Sequence, residues 1–268
     1  MTLTIPRLDY GRERLRILGF IRETVMEAGS KGVVLGLSGG VDSSVAAALC
    51  AEALGSGMVL GLMMPTGFTP KEDLEDAYWL AERYSLRVRR IDVDPIVDQI
   101  LKSVGAGSDA PRVALGNLRA RIRMTLNYYF ANVEDRLVVG TGDLSEYLLG
   151  YYTKYGDGAA DLYPIIHLFK SEVRLLGGYL GLPERLTGKP PSPQLWPGHR
   201  AKDELPAEYE VMDPILYGLF ILGLKPEKVA EEADAPLELV EEIYSRYRRT
   251  QHKRSLGPRL ERIESGGA

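Results

Sequence analysis

Residues 36 to 44 read Gly36-Leu37-Ser38-Gly39-Gly40-Val41-Asp42-Ser43-Ser44, and the fold turns on them. The apolar run Val33-Val34-Leu35 leads in and an alanine-rich stretch from Val45 to Leu54 leads out, so the local order is strand, glycine turn, helix. Gly39 and Gly40 let a ligand approach the backbone closely, and the opening helix turns its unpaired amides and positive dipole end toward the same point. Ser38, Ser43 and Ser44 add hydroxyls, and the guest that suits such a turn is a phosphate. A Walker A loop would carry a Lys here to reach the β- and γ-phosphates, whereas this loop carries Asp42. A carboxylate beside phosphates implies a bridging Mg²⁺. An ordinary βα turn needs one capping side chain, and this one gathers three hydroxyls and a carboxylate.

Outward from the loop the chain alternates. Apolar positions at helical spacing among Arg and Glu predict an amphipathic helix over residues 9 to 29, before the loop strand. After the loop helix come a strand at 58–64, a helix at 73–84, a strand at 88–93 and a helix at 95–104. A Gly- and Ala-containing break at 105–111 precedes a long helix at 113–133, on which Arg119 and Arg123 share a face and Arg121 points away. A strand at 137–141 follows, and Gly142-Asp143 opens a helix or turn that brings Ser145 and Glu146. The loop from Tyr151 to Asp161 is polar, aromatic and glycine-broken, a make-up that suits function more than packing. Such alternation predicts an α/β fold with a doubly wound parallel sheet, whose ligands bind beyond the carboxyl ends of the strands.

Beyond a helix at 170–180 the periodicity fails. Residues 188–214 hold five prolines before residue 207 and mixed charges, which predicts a long irregular lid or connection. Helices follow at 213–222, 226–233 and 236–249, the last ending in the basic run Arg246, Arg248, Arg249, His252, Lys253 and Arg254. The organisation expected is one domain over 1–268, with an α/β core at 1–187, a lid at 188–214 and C-terminal helices at 215–268.

With 268 residues, 45% hydrophobic and 26% charged, the chain can bury a normal core. A net charge of −4 gives no reason to expect bulk nucleic-acid binding, and the basic end reads as a local anion grip. No apolar run approaches membrane-spanning length, and the N-terminal residues lack a signal-peptide pattern, so a cytoplasmic protein is expected. The single cysteine, Cys50, falls among alanines of the loop helix and reads as a small buried residue; it excludes an intrachain disulfide and a multi-cysteine zinc site.

The loop resembles the Ser-Gly-Gly-x-Asp-Ser loop of the ATP pyrophosphatases, which cleave ATP between the α- and β-phosphates to adenylate a substrate. Further motifs make the chain similar to one family among them, the ammonia-dependent NAD synthetases. These are Ala120-Arg121-Ile122-Arg123-Met124, Val139-Gly140-Thr141-Gly142 leading to Ser145-Glu146, Gly150-Tyr151, Lys154-Tyr155-Gly156-Asp157-Gly158, Ala160-Asp161, Lys170, Lys189-Pro190-Pro191-Ser192 and His252-Lys253. The resemblance implies an adenine nucleotide alpha hydrolase-like fold, a homodimer with the dinucleotide site near its interface, and a two-step reaction. In that reaction the carboxylate of nicotinic acid adenine dinucleotide attacks the α-phosphorus of ATP, pyrophosphate leaves, and ammonia converts the acyl-adenylate to NAD and AMP.

By the same resemblance, residues 36 to 43 (Gly36, Leu37, Ser38, Gly39, Gly40, Val41, Asp42, Ser43) with Thr141, Lys170 and Ser192 bind ATP. Asp42 and Glu146 hold Mg²⁺; Arg121, Lys154, Asp161, His252 and Lys253 bind the deamido-dinucleotide; Asp157 meets ammonium or a proton. Asp143 departs from the Asn that commonly follows Thr-Gly in the family, and residues 198–202 depart from its lid pattern. Glutamine-dependent relatives carry a nitrilase-like domain with a nucleophilic Cys; only about 30 residues precede the loop strand here, so free or delivered ammonia is the expected nitrogen source. Two rivals remain. A tRNA-thiolating or GMP-forming ATP pyrophosphatase is one, although thiolation needs reactive cysteine pairs. A non-catalytic nucleotide sensor is the other, although it would not need Asp42, Glu146, Lys170 and the dinucleotide residues together.

Overall fold

The computed structural model describes residues 3–107 and 110–260. Four strands, β1 (Val33–Gly36), β2 (Val59–Met63), β3 (Arg87–Arg90) and β4 (Leu137–Val138), form a parallel sheet in the order β3-β2-β1-β4. The register sets Val33 opposite both Val59 and Leu137, and one further parallel bridge, Val139 to Leu162, extends the edge beyond β4. Between and around the strands lie α1 (Tyr10–Glu27), α2 (Val41–Leu54), α3 (Lys71–Arg83), α4 (Asp94–Ser103) and α5 (Arg112–Glu134). After β4 come α6 (Leu144–Leu149), α7 (Lys170–Tyr179), α8 (Glu184–Thr187), α9 (Tyr209–Leu216), α10 (Pro226–Glu232) and α11 (Leu237–Arg249).

The central strands β1 and β2 are apolar on both faces because both are covered. Val33, Leu35, Val59 and Met63 join a cluster with Ile17, Ile21, Leu49, Leu80 and Leu176, contributed by α1, α2, α3 and α7. Their alternate neighbours Val34, Leu60, Leu62 and Val138 join a second cluster with Val97 of α4 and Ile122 and Ala131 of α5. This is the doubly wound α/β arrangement that the alternation predicts. Cys50 is fully buried in the first cluster, and burial pushes its thiol up to about 12. A third cluster ties the C-terminal helices to the core: Met212, Ile215, Val229, Val240 and Ile243 pack with Leu148, Leu149, Phe169 and the N-terminal Leu3.

Element bounds differ from the sequence reading in two informative places. The strand expected at 88–93 is shorter and sits at the sheet edge, pairing with β2 alone, with arginines at three of its four positions. The segment expected to stay irregular through Pro214 is helical from Tyr209, with Pro214 inside α9. Prolines suggested a loop, but Tyr209, Met212, Ile215 and Leu216 bury one face at helical spacing and carry the chain through. Residues 188–208 have little regular structure yet are pinned: Arg119 donates to Leu195 O at 2.9 Å, and Ala201 N to Pro191 O at 3.1 Å.

Candidate active site

The turn after β1 is built to stay open on one side. Gly39 adopts φ +77°, and a Cβ there would collide with the backbone carbonyl of Asp73, so only glycine lets α3 approach this closely. Gly40 caps α2 without a side-chain bond, and helix geometry leaves the amides of residues 41–43 without intrahelical acceptors. Ser43 and Ser44 donate back to Gly40 O at 3.1 and 2.8 Å, and Ser38 Oγ lies 3.0 Å from Ser43 Oγ. Ser44 is fully buried and serves the turn itself, whereas Ser38, Gly40, Val41, Asp42 and Ser43 face a cavity of about 980 Å³. The cavity lies beyond the carboxyl ends of the strands, where the fold directs ligands.

Four charged side chains meet beside the loop. Lys170, the first residue of α7, points its ammonium at Asp42 Oδ2 (2.7 Å), Asp143 Oδ2 (2.7 Å) and Glu146 Oε1 (2.9 Å). Lys170 is 1% exposed and Asp143 fully buried. Asp143 also caps α6 by accepting from Glu146 N at 2.8 Å, which fixes both acids at one helix start. Below them Ser145 Oγ accepts from Lys170 N (2.9 Å) and donates to Asp213 Oδ1 (2.6 Å), whose Oδ2 accepts from Ser171 N at 2.9 Å. The Tyr209 ring backs the ammonium at 5.3 Å. Burial disfavours the charge on Lys170, but the carboxylates of Asp143, Asp42 and Glu146 outweigh it and hold its pKa well above the ordinary lysine value. For Glu146 burial is the largest cause and Asp143 the next, and both raise its pKa; burial likewise pushes Asp143 up to about 6.

Three carboxylates facing one ammonium leave an excess of negative charge, and Asp42 Oδ1 is buried without a hydrogen-bond partner. Oxygens of Asp42, Asp143 and Glu146 lie within 4.8 Å of one another, the separation that ligands of one cation need.

The other residues expected at the ATP end also reach the cavity. Thr141 lines it past the end of β4, and Ser192 lines it from the lid while donating to His199 O. Asp157 opens onto the same space; its Oδ1 accepts from Thr153 N at 3.0 Å, yet the dense protein around it raises its pKa.

The expected dinucleotide residues are arranged differently. Arg121 is exposed on α5 and its guanidinium donates to Lys154 O at 3.3 and 3.4 Å. The Lys154 ammonium in turn donates to His252 O at 2.5 Å, so three residues far apart in sequence form one chain. Lys253 donates to Gly150 O (2.7 Å) and Tyr152 O (2.6 Å) and lines the cavity, which Arg121, Lys154, Asp161 and His252 do not. Asp161 accepts from Tyr128 OH at 3.2 Å and from Val138 N at 2.8 Å, which fastens the loop to β4.

Sequence reasoning missed Asp143 as a member of the acidic cluster, and Asp213 and Tyr209 beneath it. Asp143 carried a signal: an acid three residues before Glu146 at a helix start. It also missed Arg123, which lines the cavity, donates to Met64 O at 3.1 Å, and has its pKa lowered by burial.

The family model described as NAD synthase matches residues 14–257. An NH(3)-dependent NAD(+) synthetase of Hyperthermus butylicus is 51% identical over 252 residues, covering 94% of this chain and 91% of that protein. The corresponding protein of Staphylothermus marinus is 47% identical, covering 96% and 95%. Among solved structures, an NH3-dependent NAD synthetase from Campylobacter jejuni superposes with a TM-score of 0.81 at 35% identity, covering 95% of this chain and all of that one. An NMN synthetase from Francisella tularensis gives 0.82 at 31% identity, covering 95% and 99%. The chain belongs to the NAD synthase family.

Proposed function

We propose that this protein is an ammonia-dependent ligase that makes NAD from nicotinic acid adenine dinucleotide, with ATP as co-substrate. The observation that carries the reading is the cluster of Asp42, Asp143 and Glu146 around Lys170, set against a glycine turn that has no Walker lysine. Asp42, Asp143 and Glu146 suit Mg²⁺: all offer hard carboxylate oxygens, their charge exceeds what Lys170 balances, and Asp42 Oδ1 lacks a partner. Bound there, Mg²⁺ supplies positive charge to the triphosphate oxygens.

The chain's own residues then divide the work. The amides of the 36–43 turn hold the leaving pyrophosphate, with Lys170, Thr141 and Ser192 as further contacts to ATP. Arg121, Lys154, Asp161, His252 and Lys253 hold the deamido-dinucleotide so that its carboxylate oxygen meets the α-phosphorus in line, and the bond from that phosphorus to pyrophosphate breaks. Ammonia next attacks the acyl carbon, the bond to AMP breaks, and Asp157 receives a proton from the nitrogen. A carboxyl held above its ordinary pKa is suited to take up a proton.

The reading includes a cytoplasmic homodimer that binds neither nucleic acid nor membrane. Exposed Val113, Tyr129 and Val133 support a subunit contact on α5, the helix that also carries exposed Arg121. Among the described residues no helix is long and apolar enough to cross a membrane. One domain over 1–268 is supported by the third core cluster, which joins residues before 187 to those after 215.

The test supplies purified protein with ATP, Mg²⁺, ammonium and the deamido-dinucleotide, with the deamido-mononucleotide in a parallel reaction. NAD and AMP in equal amounts are expected from the dinucleotide. Appearance of ADP, absence of product, or preference for the mononucleotide would overturn the assignment.

A further inference from the structure

Lys189 follows α8 and opens the lid, and its ammonium reaches back across the cavity wall. It donates to Gly39 O at 2.8 Å, to Asp73 Oδ1 at 2.7 Å and to Asp76 Oδ2 at 2.5 Å. Those three acceptors use all three ammonium hydrogens, so Lys189 has none left for a phosphate. Asp73 and Asp76 are both buried on α3, one turn apart. Each has a second partner: Gln194 of the lid donates to Asp73 Oδ2, and Arg185 of α8 donates to Asp76 Oδ1 at 2.7 Å while lying over Trp79.

The Gly39 bond matters because of what a peptide does when one end is fixed. In a trans peptide the carbonyl and the following amide point in opposite directions. With Gly39 O held on Lys189, the Gly40 N–H turns to the Ser38 side, where Ser38 Oγ accepts it at 3.2 Å and the cavity begins. A rotated peptide would aim an oxygen at the anion cradle instead. Nothing else among the described residues donates to Gly39 O, and the nearness of Asp73 O to Gly39 bars a Cβ there without bonding that peptide.

We propose that Lys189 is the positioning residue that locks the pyrophosphate turn in its anion-accepting form and couples that form to the seating of the lid. It acts through the Gly39–Gly40 peptide and through Asp73, which the turn, α3 and the lid share. The proposal rests on the reading of the cavity as an ATP site.

The experiment compares Lys189→Met with Gln194→Ala, which removes the Gln194 bond to Asp73 but leaves the Lys189 bonds to Asp73 and Gly39. KM values for both substrates and the affinity for magnesium pyrophosphate are measured for each. Lys189→Met is expected to raise KM for ATP and weaken pyrophosphate binding by about 10-fold or more, the scale of a lost charged hydrogen bond, while KM for the deamido-dinucleotide shifts by less than about 2-fold. Gln194→Ala is expected to leave pyrophosphate affinity within about 2-fold of the parent protein. Should Lys189→Met fail to fold, Asp76→Asn is used; it loosens one arm of the tripod, and a shift of about 2- to 5-fold in the same direction is expected. Unchanged pyrophosphate affinity in a folded Lys189→Met or Asp76→Asn, or equal losses for both substrates, would overturn the role of Lys189. Failure of the parent protein to bind magnesium pyrophosphate would overturn the ATP-site reading beneath it.

Discussion

At one end of the cavity, Lys170 is 1% exposed and three carboxylates stand within 2.9 Å of its ammonium. Outside the cavity, at the proposed dinucleotide end, Arg121 and His252 are exposed, and the bonds that join Arg121, Lys154 and His252 run to backbone carbonyls rather than to acids. The difference follows from desolvation. A charge taken out of water needs a partner in place, so Lys170 fixes the three carboxylates before a ligand arrives and leaves the negative excess for the proposed cation. Exposed cations keep their water and need no internal partner, so the dinucleotide end can leave charge free for an anionic ligand. The first end is a fixed electrostatic device, and the second is a surface that, on the proposed reading, a dinucleotide would complete.

Asp42→Asn attacks the fixed end where it meets the turn. It is expected to lower kcat by about 10²- to 10³-fold, the range for losing one preorganised charge-stabilising group, with the circular dichroism spectrum unchanged. Turnover close to the parent value would place the chemistry elsewhere. Lys170→Met tests the balance itself. Leaving Asp143 and its neighbours uncompensated is expected to cost about 3–5 kcal/mol in urea unfolding, with part of the loss recovered by Mg²⁺. A variant as stable as the parent would mean that the carboxylates are not held ionised by that lysine.

Arg121→Ala probes the other end. An increase of about 10-fold in KM for the deamido-dinucleotide, with KM for ATP within about 2-fold, is the expected signature of a ligand contact made at the surface. Equal increases for both would erase the distinction between the two ends. The smallest effect concerns pH. Burial raises Asp143 to about 6, and a carboxyl must lose its proton to ligate a cation. Mg²⁺ affinity is therefore expected to fall as pH drops through about 6, by up to about 10-fold per unit, and Asp143→Asn to flatten that dependence. Isothermal titration at several pH values checks it, and a slope shared by parent and variant would remove Asp143 from the cation site.

Much of the fixed end was legible because its parts are close in sequence and constrained in type. Gly39, Gly40 and Asp42 declare themselves within one turn, and Ser145 and Glu146 within another. The alternation of strands and helices gave the parallel sheet for the same reason, since period and turn residues are local. What stayed hidden depends on tertiary reach. Lys189 and Asp73 are 116 positions apart, and no spacing rule links a lysine after a short helix to an acid on α3. Asp213 lies in a stretch that prolines marked as loop, although its carboxylate closes the base of the Lys170 cluster through Ser145 and Ser171. The three residues joined at the dinucleotide end span 131 positions, from Arg121 to His252, and only the family resemblance grouped them in advance.

The central claim is that a carboxylate oxygen of the substrate becomes bonded to the α-phosphorus of ATP. Deamido-dinucleotide labelled with ¹⁸O in the pyridine carboxylate, turned over with ATP, Mg²⁺ and ammonium, tests it directly by mass spectrometry of the released AMP. The expected result is one labelled oxygen in the AMP phosphate for each NAD formed, because the bridging oxygen leaves with AMP when ammonia attacks the acyl carbon. NAD formed alongside unlabelled AMP would contradict the acyl-adenylate route.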